Sequence, residues 1–155
     1  MKFAHLVQIN DPLNPLIEPL SRRQLWRGLV LRAENPLLFV LALDAFEIVR
    51  SGENVIAREL HFGKLTLRDR VEFDLMNKVR YEIEATRDSP AATLAMTIEE
   101  PEANQLFVRF EYETRPGGAG APLDDFYDRF ARQAYVEADI DTIATIRRLA
   151  LELAI

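Results

Sequence analysis

The chain contains no cysteine. Disulfides, thiolate nucleophiles and thiolate metal sites are therefore excluded, and a reducing, cytoplasmic setting is expected. Histidine is scarce, with two in 155 residues. Neither His5 nor His61 has a second ligand at metal-type spacing, so no metal is expected. Basic charge is in deficit: 19 Lys and Arg stand against 25 Asp and Glu, a net charge of −6. Nucleic-acid binding, which needs massed Lys and Arg, is disfavoured. The longest unbroken apolar run, 37–43, is far short of a bilayer span, and His5 and Gln8 interrupt any signal-peptide core. No membrane insertion is expected. There is no glycine-rich phosphate loop after a strand and no nucleophile elbow, so no cofactor is implied.

What is present is an ordinary globular composition, 48% hydrophobic and 28% charged, at a length suited to a single domain over 1–155. Residues 3–9 alternate as a strand that Asn10-Asp11-Pro12 ends. Ser21 and Gln24 form a capping box for a helix over 22–33, with Leu25, Trp26, Leu29 and Val30 as its apolar stripe. Asn35-Pro36 stops it. Residues 37–43 follow as a short helix or an apolar loop, either a lid over a cavity or plain packing. From 46 to 114 the period is two, and strands are predicted over 46–50, 55–62, 65–74, 78–86, 93–99 and 105–114. Residues 116–120 read as a hinge, and Pro122 sits near the first turn of a final helix that runs toward Ile155, about 50 Å long.

Charge fixes the register. A two-residue turn at Gly63-Lys64 sets Phe62 opposite Leu65, Leu60 opposite Leu67, Arg58 opposite Asp69 and Glu59 opposite Arg68. A turn around 75–77 sets Phe73 opposite Val79, Glu72 opposite Arg80, Arg70 opposite Glu82 and Arg68 opposite Glu84. Facing opposite charges contribute about 0.2–1 kcal/mol per pair and mark a solvated face. The other face carries Ile56, Leu60, Leu67, Val71, Val79, Tyr81, Leu94, Met96, Val108, Phe110 and Tyr112, ready for a long helix to cover. The fold class is α+β.

Order and spacing resemble the START-like, or SRPBCC, helix-grip superfamily: one strand, two short helices, six strands and a long C-terminal helix. The stretches 3–10 (FAHLVQIN), 24–29 (QLWRGL), 58–63 (RELHFG) and 134–141 (AYVEADID) look like those of the AtaL-like family. The resemblance implies a seven-stranded curved antiparallel sheet around the terminal helix, with a hydrophobic cavity between them. It carries no catalytic motif. Members of the superfamily bind lipids, hormones and polyketides, and a few catalyse cyclisation or dehydration.

Within that frame the expected ligand-binding residues are Trp26, Arg58, Asp69, Tyr81, Met96, Tyr112, Tyr127 and Phe130. Arg58 and Asp69 fall opposite each other on the apolar face, either as a structural pair or to grip a polar ligand group. Inward Tyr81 and Tyr112 need partners for their hydroxyls. Trp26 is a core anchor or a pocket wall. On the final helix Leu123, Tyr127, Phe130 and Ala134 share one face, and continuing it brings Glu137, Ala138 and Asp141. The stripe resumes at Val136, Ile140, Ile143 and Ala150, so either the helix bends or acids enter the cavity. His61 falls on the polar face opposite Thr66, and His5 shares a face with Phe3 and Val7.

Three readings follow. The first is a binding protein for a hydrophobic or aromatic small molecule, oriented by Arg58 and Tyr81 or Tyr112. The second is a polyketide-type cyclase, dehydratase or hydrolase that uses Asp69, Glu137 or Asp141 as base. The third is a structural or dimerisation module, a homodimer without ligand.

Overall fold

Alternation decides which way the strands face. A computed structural model describes residues 1–115 and 125–155, the side chains of 125–128 excepted. Its elements are β1 (Lys2–Gln8), α1 (Arg22–Glu34), a 3-10 turn (Pro36–Leu38), β2 (Ala45–Gly52), β3 (Val55–Phe62), β4 (Leu65–Asp74), β5 (Lys78–Ile83), β6 (Ala92–Glu99), β7 (Phe107–Thr114) and α2 (Asp125–Glu152). The strands form one antiparallel sheet of seven in the order β1-β7-β6-β5-β4-β3-β2. This curved sheet wraps the long C-terminal helix, the helix-grip arrangement expected. The 116–120 hinge, Pro122, Leu123 and the Tyr127 side chain lie outside the described residues.

The expected register holds. Phe62 faces Leu65, Leu60 faces Leu67, Arg58 faces Asp69 and Glu59 faces Arg68. Phe73 faces Val79, Glu72 faces Arg80 and Arg70 faces Glu82. Gly63 takes φ 59°, the left-handed conformation that the tight β3–β4 turn requires. The charged ladder differs from expectation in its contacts. Arg70 bonds Glu72 at 2.6 Å along its own strand, and Arg80 bonds Glu82 in the same way. Residues two apart share a face of a strand, and a long Arg side chain reaches its neighbour there as readily as across. The Glu82 carboxyl is held below the usual range by the Arg80 bond first, with the charge of Arg70 helping from the adjacent strand.

The inner face builds the core. Val71, Val79, Met96, Val108 and Phe110 are fully buried, together with Leu25, Leu29 and Ala33 of α1 and Ile146 of α2. The predicted capping box starts α1, with the Ser21 hydroxyl accepting from Gln24 N–H and the Gln24 side chain accepting from Ser21 N–H. Residues 37–43 form the 3-10 turn and irregular chain, with Leu41 fully exposed and Leu43 buried.

The two helices meet at Gly28. A Cβ there would run into the Ile146 side chain, 2.7 Å from Cγ1 and nearer still to Cγ2, closer than real Cβ contacts come. The Gly28→Ala variant should therefore lose stability even though alanine gains about 1 kcal/mol of helix propensity. Overpacking costs about 1–3 kcal/mol. Urea unfolding should show a lowered midpoint at unchanged slope. Adding Ile146→Ala should cost less than the two single losses summed.

Candidate functional site

Two polar groups occupy the inner face of an otherwise apolar sheet. The first is the predicted ion pair. Arg58 Nε and Nη2 donate to Asp69 Oδ1 and Oδ2 at 2.8 and 2.5 Å, and both residues are buried. Arg58 Nη1 donates to the Ala33 carbonyl at 2.8 Å. That carbonyl belongs to the last turn of α1, where no intrahelical donor remains for it. The fork of Arg58 is thus committed to its neighbour strand and to the helix end.

Above this pair lies Tyr81, which is 2% exposed. The Arg58 and Arg32 guanidinium carbons each sit 5.2 Å from the centroid of its ring. Arg32 comes from α1, one residue before Ala33. Its Nε and the Tyr81 hydroxyl are buried without a hydrogen-bond partner among the described residues. The phenol lies within reach of the Arg32 guanidinium and makes a weak polar contact with it, although neither Nε nor the hydroxyl has a partner of good hydrogen-bond geometry among the described residues.

The second group centres on Asp139 of α2, which is 1% exposed. The Tyr112 hydroxyl donates to its Oδ1 at 2.6 Å, and His5 Nε2 meets its Oδ2 at 2.5 Å. β1 pairs with β7 so that Phe3 faces Tyr112 and His5 faces Phe110. The rings therefore stack: His5 lies 5.4 Å from both Phe3 and Phe110, and Tyr112 lies 4.0 Å from Tyr135. Burial pushes the Asp139 carboxyl above the usual carboxylate range, against the opposing bonds from Tyr112 and His5. Burial also raises the Tyr112 phenol, helped by the Asp139 charge. Tyr112 therefore stays a neutral donor to Asp139. Arg32 feels both Tyr112 and Asp139 electrostatically.

The expected residues are distributed as follows. Arg58, Asp69, Tyr81 and Met96 are buried on the inner face, and Tyr112 is partly buried beside them. Trp26 is buried in the core and also borders an open groove of about 490 Å³ with Arg23, Val30, Met76 and Ile155. The Tyr127 side chain is outside the described residues. Phe130 is 67% exposed and stands apart from both groups. The face chosen for α2 needs correction. Ala134, Glu137, Ile140 and Asp141 are exposed, while Asp139, Thr142, Ile143, Ile146, Leu149 and Ala150 are buried. Glu137 and Asp141 face outward, and the inward acid is Asp139. Among the described residues no group of three His, Asp or Glu side chains is placed to hold a metal, and no helix is long and apolar enough to cross a membrane.

Sequence reasoning missed Arg32, Asp139 and the partner role of His5. Signals for two of them were present. Arg32 follows Leu25 and Leu29 at helical spacing, and Asp139 precedes Thr142, Ile143 and Ile146 on one stripe.

No curated protein is significantly similar to the chain in sequence. Solved structures are similar in fold. The Zhui aromatase/cyclase from Streptomyces sp. R1128 superposes with a TM-score of 0.66 at 15% identity, covering 99% of this chain and 97% of that one. The di-domain ARO/CYC StfQ from the steffimycin biosynthetic pathway gives 0.71 at 11% identity, with 99% of this chain on 52% of that one. A Thermus thermophilus protein, TTHA0849, gives 0.61 at 12% identity, covering 100% of both chains. At these identities the likeness establishes the helix-grip fold. Residues 7–152 match the model of the AtaL family, acetylaranotin biosynthesis cluster protein L, and the chain belongs to that family.

Proposed function

We propose that the protein binds a hydrophobic or aromatic small molecule on the inner face of its sheet, in the cytoplasm. One observation carries this reading. The Tyr81 hydroxyl and Arg32 Nε are buried among apolar side chains and have no partner among the described residues. Folded proteins seldom leave such groups unpaired, because each costs about 1–3 kcal/mol. A ligand that supplies the missing partners offsets that cost. The inner face is also incompletely covered at its β2–β4 end, where Ile48 and Leu65 are half-exposed apolar residues. Apolar walls with a few aimed polar groups are the usual make-up of a small-molecule site. Fold-level likeness to proteins named aromatase/cyclase is consistent with it.

A second reading, acid–base chemistry on the bound molecule, is favoured by the environment of Asp139. A buried carboxyl bonded to a histidine through one oxygen and to a phenol through the other is suited to proton transfer. The His5 side chain is 14% exposed and Asp139 is 1% exposed, so the imidazole is the more reachable end. The candidate base is then His5 with Asp139 behind it. Asp69 is committed to Arg58, and Glu137 and Asp141 face outward.

Two tyrosine variants test the first reading. Tyr81→Phe removes a buried hydroxyl that bonds nothing among the described residues, so the ligand-free protein should be stabilised, by up to about 1–3 kcal/mol. Tyr112→Phe strips a bond from a buried carboxyl and should cost about 1–3 kcal/mol. Native mass spectrometry of gently purified wild type should show a bound small molecule, and Tyr81→Phe should retain less of it. Bare protein mass, together with failure to bind any neutral aromatic probe, would remove the reading.

The Asp139 carboxyl gives a pH test. Unfolded, it ionises near 3.8. Folded, it keeps its proton to higher pH, so the folded state binds more protons across that interval. The stability involved is fully present below 3.8 and is lost as pH rises through the folded value. Asp139→Asn should flatten this decline. Thermal melts from about pH 4 to about pH 7 should show wild type losing ground to the variant. Parallel curves would mean that Asp139 is not the titrating group.

A further inference from the structure

The two arginines that flank the Tyr81 ring differ in how they are matched. Arg58 is neutralised by Asp69 in a bidentate pair. Asp139 is engaged by His5 and Tyr112. Arg32 has no described carboxylate within ion-pair distance, its Nε is unpartnered, and its guanidinium rests on the Tyr81 ring. Asp139 reaches it only as a longer-range electrostatic influence. An arginine cannot shed its proton, so the positive charge remains at every physiological pH.

We infer that Arg32 and the Tyr81 hydroxyl form an anion subsite, and that the molecule bound inside carries a carboxylate or an equivalent delocalised oxyanion. This rests on the small-molecule reading above and names the chemistry of its polar group. A carboxylate can accept from the Arg32 fork and from the phenol together, which satisfies both donors and gives Arg32 the close counter-charge it lacks among the described residues. Water would satisfy the hydrogen bonds and leave Arg32 without a close counter-charge. A neutral ligand would do the same. Arg58, the arginine first expected to grip the ligand, is unsuited, because three of its donors are already committed. Arg32 is placed for the task by that same commitment: the Arg58 bond to Ala33 fixes the end of α1 one residue away.

The test uses two probes of one shape, 2-naphthoate and 2-naphthamide, titrated against the full chain by calorimetry. Wild type should bind the anion about tenfold or more tighter than the amide, as a charged hydrogen-bonded contact implies. In Arg32→Gln the preference should fall to about one while naphthamide affinity stays put. Arg32→Lys keeps the charge without the fork and should show an intermediate preference. It also covers the case in which the glutamine variant fails to fold. Tyr81→Phe should weaken naphthoate more than naphthamide. Equal binding of the two probes to wild type overturns the anion subsite and leaves the small-molecule reading standing. A preference for naphthoate that survives Arg32→Gln and Arg32→Lys unchanged overturns it as well. If neither probe binds, the small-molecule reading falls and the subsite with it.

Discussion

Three elements converge on one guanidinium. Arg58 projects from β3, takes both oxygens of Asp69 on β4 and caps the final turn of α1 through Ala33. Burying such a pair costs several kcal/mol per ion, and the attraction repays it only when the geometry is complete. Here the bidentate contact and the helix-end bond complete it. The consequence reaches beyond stability. With α1 pinned at Ala33, Arg32 is turned toward Tyr81, and Gly28 is turned toward Ile146 of α2. The helix that seats α2 and the cation that faces the interior are thus positioned by the same bond.

The sheet was legible in the sequence because two independent patterns agreed. Apolar alternation placed Ile56, Leu60, Val71, Val79 and Tyr81 inward, and the charges of Glu59, Arg68, Arg70, Glu72, Arg80 and Glu82 forbade the one-residue slip that would bury them. The terminal helix had only one pattern, and its aromatic residues misled. Phe130 looked like an anchor but is exposed. The stripe that does pack carries Tyr135, Asp139 and Thr142 among its aliphatic residues, so hydrophobicity alone does not trace it. Read backward from Ile146 at helical spacing, the same stripe passes through Ile143 and Asp139. The information was present, in the half of the helix with the weaker aromatic signal.

Arg32 was hidden for a different reason. A charged residue on a helix is ordinarily assigned to solvent, and long arginine side chains commonly keep their heads in water. Its position in line with Leu25 and Leu29 argues otherwise, and the structure agrees, with its Nε buried. Arg58 drew attention because cross-strand register paired it visibly with Asp69. The arginine with an obvious partner proved to be the structural one, and the arginine without such a partner is the one with bonding capacity to offer.

The interior then divides by how fully its polar groups are satisfied. Around Asp139 each carboxylate oxygen has a partner, one in His5 and one in Tyr112. Such a cluster rigidifies the join between β1, β7 and α2, since low local dielectric strengthens each of its bonds. Around Tyr81 the hydroxyl and Arg32 Nε lack partners, and Arg32 has no close carboxylate among the described residues. The chain as a whole carries −6, with most of its acids outside the core, while the partly buried Arg32 keeps its Nε out of water. Solvent and salt screen the outer charges over about 10 Å, but screen a buried one far less. The field that an entering molecule meets inside the fold is therefore set by Arg32 rather than by the net charge. A strongly acidic balance on the outside and an appetite for negative charge on the inside are compatible in one small domain.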